Sequence, residues 1–273
     1  MSDGQGPVPD PIRVLLAGAC GRMGQELTRA LRKAPGILLV AAVDPAGAGS
    51  DLGELVFGRP SGLVIEAEVA PSIHHHRPHV LIDFTRPEAV MGNVRTALAR
   101  KVAGVVGTTG LSEANVEEVR QLCAQHATPA IIAPNFALGA CLMMRFAAQA
   151  AQHYQYAQII EYHHEKKKDA PSGTAVTTAQ AMHAARGGDL TAAEAEVLTV
   201  AGALGGEIGG IGLHAVRMPG FVAEQEVLLG GDGEVLRIRH SASSRDCFVQ
   251  GVLLATRRVL EFDGLIYGLE QLL

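Results

Sequence analysis

Apolar positions along this chain follow two rhythms, and the change comes near residue 137. Before it, short unbroken apolar runs at 12–18 (IRVLLAG), 37–43, 80–84 (VLIDF), 102–106 and 130–133 are separated by stretches of mixed polarity. Runs of this length bounded by turn residues predict strands buried on both faces of a parallel sheet. The mixed stretches 25–33 (QELTRALRK) and 88–100 (EAVMGNVRTALAR) predict helices between them, and Ser112-x-x-Asn115 has the form of another helix start.

Beyond residue 137 the order is different. Ile159-Ile160 predicts a buried strand, 175–186 (AVTTAQAMHAAR) a helix, and 187–210 a polar, Gly-rich segment. Residues 211–216, 222–229 and 235–241 alternate as in an antiparallel sheet, with Gly230-Gly-Asp-Gly233 as a hairpin turn. A final amphipathic helix is expected at 246–260. The pattern predicts an α/β half followed by an α+β half, without internal repeats or a low-complexity linker.

Composition narrows the class. A chain of 273 residues can hold two domains, and 48% hydrophobic content with 4% aromatic suits an Ala/Val/Leu-rich α/β protein rather than a β-sandwich. The net charge of −5, with no basic tail, argues against a nucleic-acid partner. Cys20, Cys123, Cys141 and Cys247 form neither a CxxC pair nor a disulfide spacing, so free thiols in a reducing, cytoplasmic setting are expected. Residues 1–11 are Gly/Pro-rich, with disorder expected and no secretory signal. No apolar run reaches the length of a membrane span.

Two stretches carry the candidate chemistry. The first strand runs into Gly18-Ala-Cys-Gly21-Arg-Met-Gly24, and the second ends at Asp44, twenty residues past Gly24. Strand, glycine turn, helix, strand and terminal acid form a mononucleotide-binding βαβ unit, although Cys20 makes the spacing GxxGxxG instead of GxGxxG. Gly18 would allow the turn, Gly21 the approach of a pyrophosphate and Gly24 close helix packing. Asp44 would accept from ribose hydroxyls and repel a 2′-phosphate, so NADH is expected over NADPH. The loops Gly107-Thr-Thr-Gly110 and Pro134-Asn-Phe136 end strands on the same sheet edge, where Thr108, Thr109 and Asn135 could bond a carboxamide.

The second stretch, IIEYHHEKKKDAPSGTA at 159–175, crowds His163, His164, Lys166, Lys167 and Lys168 ahead of a helix start. Pro171 suits a first helical turn, and free N–H groups of Ser172, Gly173 and Thr174 would favour an anion. Cations on one side and a helix N-terminus on the other make a receptor for a small polyanion. His74-His75-His76 lacks companion ligands and reads as a solvated loop, and His163-His164-Glu165 lacks HExxH spacing, so no metal is expected.

These residues resemble the bacterial dihydrodipicolinate (4-hydroxy-tetrahydrodipicolinate) reductases over nearly the whole chain. The resemblance rests on AGACGRMG at 17–24, IDFTRPE at 82–88, GTTG at 107–110, APNF at 133–136, EYHHEKKKDAPSGTA at 161–175, GIGLHAVR at 210–217 and ASSRDCF at 242–248. It implies a doubly wound, Rossmann-like cofactor domain over 1–136, completed by 245–273, and an α+β substrate and tetramerisation domain with a mixed sheet over 137–244. It implies hydride transfer from NADH or NADPH to a cyclic imine dicarboxylate in lysine and diaminopimelate biosynthesis, by a homotetramer without metal. His163 corresponds to the family's proton donor and Lys167 to its active-site lysine, with His164, Ser172, Gly173 and Thr174 toward substrate. Cofactor positions carry over to Gly18, Ala19, Cys20, Gly21, Arg22, Met23, Asp44, Gly107, Thr108, Thr109, Ala133, Pro134, Asn135, Phe136, Arg245 and Phe248. Two departures stand out: Pro45 replaces an Arg that meets the 2′-phosphate in some members, and Lys166 adds charge before Lys167. The rivals are another two-domain nicotinamide dehydrogenase acting on a small carboxylate, which has no need of the 163–174 cluster, and a non-enzymatic nucleotide sensor, which would lack His163 and Lys167.

Overall fold

The computed structural model describes residues 9–273; the disorder expected for residues 1–11 falls, up to residue 8, outside them. The chain forms two compact units, one running to Phe136 and taking back Phe248–Leu273, the other Ala137–Cys247.

The first unit is a seven-stranded parallel sheet. Its elements in order are β1 (Ile12–Ala17), α1 (Arg22–Leu31), β2 (Ile37–Val43), α2 (Leu52–Phe57), β3 (Ile65–Glu66), α3 (Val69–His76), β4 (Val80–Asp83), α4 (Pro87–Ala99), β5 (Ala103–Val106), α5 (Glu113–His126) and β6 (Ala130–Ile132). The spatial order of these strands is β6-β5-β4-β1-β2-β3, so the winding reverses between β1 and β4. Side chains from β1, β2, β4, α3 and α4 form one buried cluster and α4, α5, β5 and β6 another. Helix α1 packs on β2 and α2. After the second unit the chain returns as α8 (Val249–Arg258), which packs on α1, and β12 (Leu265–Tyr267), which extends the sheet beside β6.

Helix α1 begins three residues earlier than expected, at Arg22, because Gly21 is its N-cap and the glycine turn runs straight into the first helical turn. Residues 74–76 are the last turn of α3 rather than a solvated loop, and His76 Nε2 lies 2.5 Å from Glu66 Oε1.

The second unit contains α6 (Leu138–Ala151), β7 (Tyr156–His163), α7 (Gly173–Arg186), β8 (Gly206–Ile208), β9 (Ile211–Arg217), β10 (Ala223–Gly231) and β11 (Glu234–Ala242). Its five-stranded sheet runs β11-β10-β7-β9-β8 and is mixed. Strand β9, expected in an antiparallel sheet, is parallel to β7, because α7 carries the chain back across the sheet between them. The β10–β11 turn narrows to Asp232-Gly233, with Gly233 at φ +79°. Burial alternates along β7, with Ala157, Ile159 and Glu161 on the inner face with Val227 and Leu229 of β10. The outer face carries Gln158, Ile160 and Tyr162. Among the described residues no helix is long and apolar enough to cross a membrane, and no group of three or more His, Cys, Asp or Glu is placed to hold a metal.

Gly24 sits where a Cβ would collide with the Gly18 carbonyl oxygen and lie 2.8 Å from the Ala19 Cα. Backbone atoms cannot swing aside like a flexible side chain. Gly24→Ala should therefore destabilise the first unit by about 1–3 kcal/mol, the usual cost of overpacking, and weaken dinucleotide binding. Thermal denaturation with and without NADH checks both.

Candidate active site

At the carboxyl ends of β1 and β4 the backbone leaves little room. Gly18 has φ +83°, and a Cβ there would lie 2.8 Å from the Phe84 carbonyl carbon, so only glycine can turn the chain at this crevice. Gly18 N–H donates to Val43 O at 2.9 Å, and Cys20 N–H donates to Asp44 Oδ2 at 3.0 Å. Asp44 Oδ1 also accepts from Ala46 N–H at 3.0 Å. Asp44 thus anchors the glycine turn from the tip of β2 while its half-buried carboxylate keeps unused lone pairs. Gly21, the N-cap of α1, offers no side chain to its first turn, in contrast to Ser112 and Ser172, which cap α5 and α7. Uncapped N–H groups at a helix start beside a glycine turn suit a phosphate. Burial and the nearby Asp44 charge raise the Cys20 thiol, which keeps it neutral.

The other cofactor candidates divide by exposure. Arg22, Thr109, Pro134 and Arg245 are exposed, and Met23, Gly107, Asn135 and Phe248 are half-buried. Ala19, Ala133 and Phe136 are buried, and the Phe136 ring packs 5.7 Å from that of Phe84. The Thr108 hydroxyl is spent inside the protein. It donates to Asp83 Oδ1 at 2.7 Å and accepts from Thr85 N–H at 2.8 Å, so its proton is committed inside the protein and a ligand could meet it only as a second donor. Asp83 is fully buried and also takes the Thr85 hydroxyl at 2.7 Å and Asn93 Nδ2 at 2.8 Å. This carboxylate, sitting unremarked inside IDFTRPE, ties the Phe84-Thr85 and Gly107-Thr108 loops together.

In the second unit the site grows from the end of β7. A side chain two residues on returns to the same face of a strand, which puts His163 on the face of Glu161. His163 Nδ1 lies 2.6 Å from Glu161 Oε2. Across the parallel ladder His163 pairs with Arg217 of β9. Arg217 closes on Glu161 with two bonds, Nη1 to Oε2 at 2.7 Å and Nη2 to Oε1 at 2.6 Å. Nη2 also donates to the Asp169 carbonyl oxygen at 2.8 Å. Ser172 N–H donates to Glu161 Oε1 at 3.0 Å, and the Ser172 hydroxyl accepts from Ala175 N–H at 3.2 Å.

The helix start therefore differs from expectation. Ser172 is the N-cap and its N–H is not free, because Glu161 reaches it from below; Pro171 precedes the cap. Asp169 takes Lys167 Nζ at 2.8 and 3.0 Å and draws on the Gly173 N–H. Of the three lysines, Lys166 and Lys168 are exposed, whereas Lys167 is half-buried. His164 is exposed, with Nδ1 accepting from Lys166 N–H at 3.2 Å.

Burial alone would push Glu161 up. The bonds from His163, Arg217 and the Ser172 N–H outweigh it and hold the carboxyl at about 2. The same bond raises Arg217, and Lys167 holds Asp169 low. Glu161 and Arg217 had no role in the sequence reading. The signal was present: a carboxylate on the buried face of an apolar strand, two residues before a histidine.

Residues 12–136 match the family model for the dihydrodipicolinate reductase N-terminus, and 139–273 match that for its C-terminus. The chain belongs to the dihydrodipicolinate reductase family. It is 47% identical to the 4-hydroxy-tetrahydrodipicolinate reductase of Moorella thermoacetica, covering 96% of this chain and 98% of that one. The Synechocystis reductase is 44% identical over 97% and 98%. A dipicolinate-bound dihydrodipicolinate reductase from Paenisporosarcina superposes with TM-score 0.86 at 36% identity, over 96% and 99% of the two chains. An amine dehydrogenase from Mycobacterium smegmatis, at TM-score 0.68 and 14% identity, shares the fold alone. Dihydrodipicolinate reductases are oxidoreductases that use nicotinamide cofactors, and this chain shares their class.

The depressed Glu161 fixes a pH window. Its contribution, on the order of 3 kcal/mol, is fully present above the unfolded-state value near 4.5 and lost as pH falls toward about 2. Denaturant midpoints measured from pH 6 to 2 should fall more steeply for the wild type than for Glu161→Gln. Removing the guanidinium by Arg217→Ala should cost about 3–5 kcal/mol at neutral pH, because the buried carboxylate loses its counter-charge.

Proposed function

We propose that this protein is a 4-hydroxy-tetrahydrodipicolinate reductase that forms tetrahydrodipicolinate in lysine and diaminopimelate biosynthesis. The observation that carries the reading is the 161–174 segment: an imidazole, a half-buried ammonium and a helix start on one strand–loop–helix, within a chain matched to this family over 12–136 and 139–273. We place the cofactor part in residues to 136 with 245–273 and the substrate part in 137–244, a division three residues short of the compact-unit boundary at Phe248.

The first unit fits a dinucleotide. Its glycine crevice admits no Cβ, α1 opens without a side-chain cap, and Asp44 can still accept from ribose hydroxyls. Gly18–Met23 would hold the pyrophosphate, while Gly107, Thr109 and Pro134–Asn135 would meet the nicotinamide end. Bound reduced nicotinamide supplies the hydride. Lys167 and the Gly173 and Thr174 N–H groups hold the substrate carboxylates, with the ammonium exchanging Asp169 for the ligand. His164 adds a donor at the rim. His163 delivers a proton from Nε2 to the ring as negative charge builds there. The dipicolinate bound to the Paenisporosarcina relative supports a planar dicarboxylate as the ligand class.

NADH is the preferred donor. A carboxylate at Asp44 followed by Pro45 repels a 2′-phosphate and offers it no cation. We assign the chain to the cytoplasm, where its four free thiols persist, and to a homotetramer. The outer face of the second sheet and its unpaired edge strand β11, with exposed Val235 and Leu236, support assembly through this unit.

A coupled assay with the upstream synthase product, followed at the nicotinamide absorbance, should show reduction with a higher kcat/KM for NADH. No oxidation of either cofactor would refute the function, and a higher value with NADPH the preference. His163→Ala and Lys167→Ala should each lower kcat by about 10²- to 10⁴-fold; unchanged kinetics in both would remove them from the chemistry.

A further inference from the structure

We infer that Glu161 is a positioning residue for the reaction: it accepts from His163 Nδ1–H, so that Nε2 is turned to the substrate and carries the proton that the imidazolium delivers, and Arg217 keeps Glu161 in place. The inference rests on the function proposed above. The four lone-pair directions of the Glu161 carboxylate are each taken. Oε1 accepts from Ser172 N–H at 3.0 Å and Arg217 Nη2 at 2.6 Å. Oε2 accepts from Arg217 Nη1 at 2.7 Å and faces His163 Nδ1 at 2.6 Å.

An ionised carboxylate can only accept hydrogen bonds. At 2.6 Å, Nδ1 must therefore be the donor, and the tautomer follows from the partner. Glu161 is 1% exposed and its charge is matched by a guanidinium, so protonation does not offer an alternative arrangement near neutral pH. Among the described residues Nε2 has no protein partner, and the His163 side chain is 15% exposed, enough for one ring edge to meet a ligand. This is the logic of a carboxylate that orients a catalytic imidazole without itself moving a proton.

Arg217 extends the device. Its Nη2 bonds both Glu161 and the Asp169 carbonyl oxygen, so one guanidinium sets the histidine and the loop that leads to the α7 start. The ladder makes this possible, since Arg217 stands opposite His163 in the β7–β9 register. Without it the buried carboxylate would have no counter-charge.

The test uses the full chain, labelled with ¹⁵N-histidine, with His163 assigned by comparison with His163→Ala. The wild-type His163 should show a protonated Nδ1 and, when neutral, an unprotonated Nε2; the reverse tautomer would overturn the inference whatever the activity. In Glu161→Gln the carboxamide can donate to Nδ1, so the reverse tautomer should appear. The kcat should fall by about 10²-fold or more, while the substrate KM changes less than threefold. Glu161→Asp should recover part of kcat and the Nδ1–H signal. A Glu161→Gln protein with wild-type kcat would overturn the inference while leaving the reductase reading intact. A wild-type enzyme without reductase activity would sink that reading, and the tautomer measurement would still decide the geometry. Should Glu161→Gln fail to fold, the wild-type spectrum alone decides.

Discussion

A single buried carboxylate organises the second unit. Glu161 stands on the inner face of β7, 1% exposed, and an unpaired charge there would cost several kcal/mol. It persists because Arg217, His163 and the Ser172 N–H all converge on it. Each of these partners comes from a different element: the end of β7, the end of β9 and the start of α7. Satisfying one charge therefore sets three pieces of chain in register. The loop of 164–171, with its lysines, is strung between two of them.

The first unit solves a similar problem with Asp83. Buried at the tip of β4, it takes donors from Thr85, Thr108 and Asn93, which fixes two of the loops at the carboxyl edge of the sheet. Asp44 does the same for the glycine turn from the next strand over. In both units the loops that would meet ligands are held by internal carboxylates. Rigid loops lose less freedom on binding, which is how such a scaffold saves affinity.

Much of this was legible in the sequence, and the limits have physical causes. Buried parallel strands leave unbroken apolar runs, and the runs at 12–18, 37–43 and 80–84 coincide with β1, β2 and β4. The α5 start was readable because Ser112 and Asn115 form a reciprocal cap. By contrast α6, LGACLMMRFAAQAA, has no side-chain cap and little polar contrast, and β12 is three residues long. Neither leaves a periodic trace. His163 and Lys167 were visible as residue types, but the carboxylates that accept from them, Glu161 and Asp169, were not. Thr108 is the clearest case: its hydroxyl looked available as a donor to a ligand, and only the fold shows that its proton goes to Asp83 and one lone pair to the Thr85 N–H. Long-range pairing is likewise silent in one dimension, since Arg217 lies 56 positions from Glu161.

The proposed function requires the 161–174 segment to receive two carboxylates on a flat ring, with Lys167 exchanging Asp169 for the ligand. The most direct measurement is calorimetric titration of the protein, in the presence of NADH, with pyridine-2,6-dicarboxylate and with pyridine-2-carboxylate. The account predicts that the dicarboxylate binds at least tenfold more tightly and that Lys167→Ala removes most of the difference. Equal affinity for the two acids, or a difference untouched by loss of the Lys167 ammonium, would contradict it.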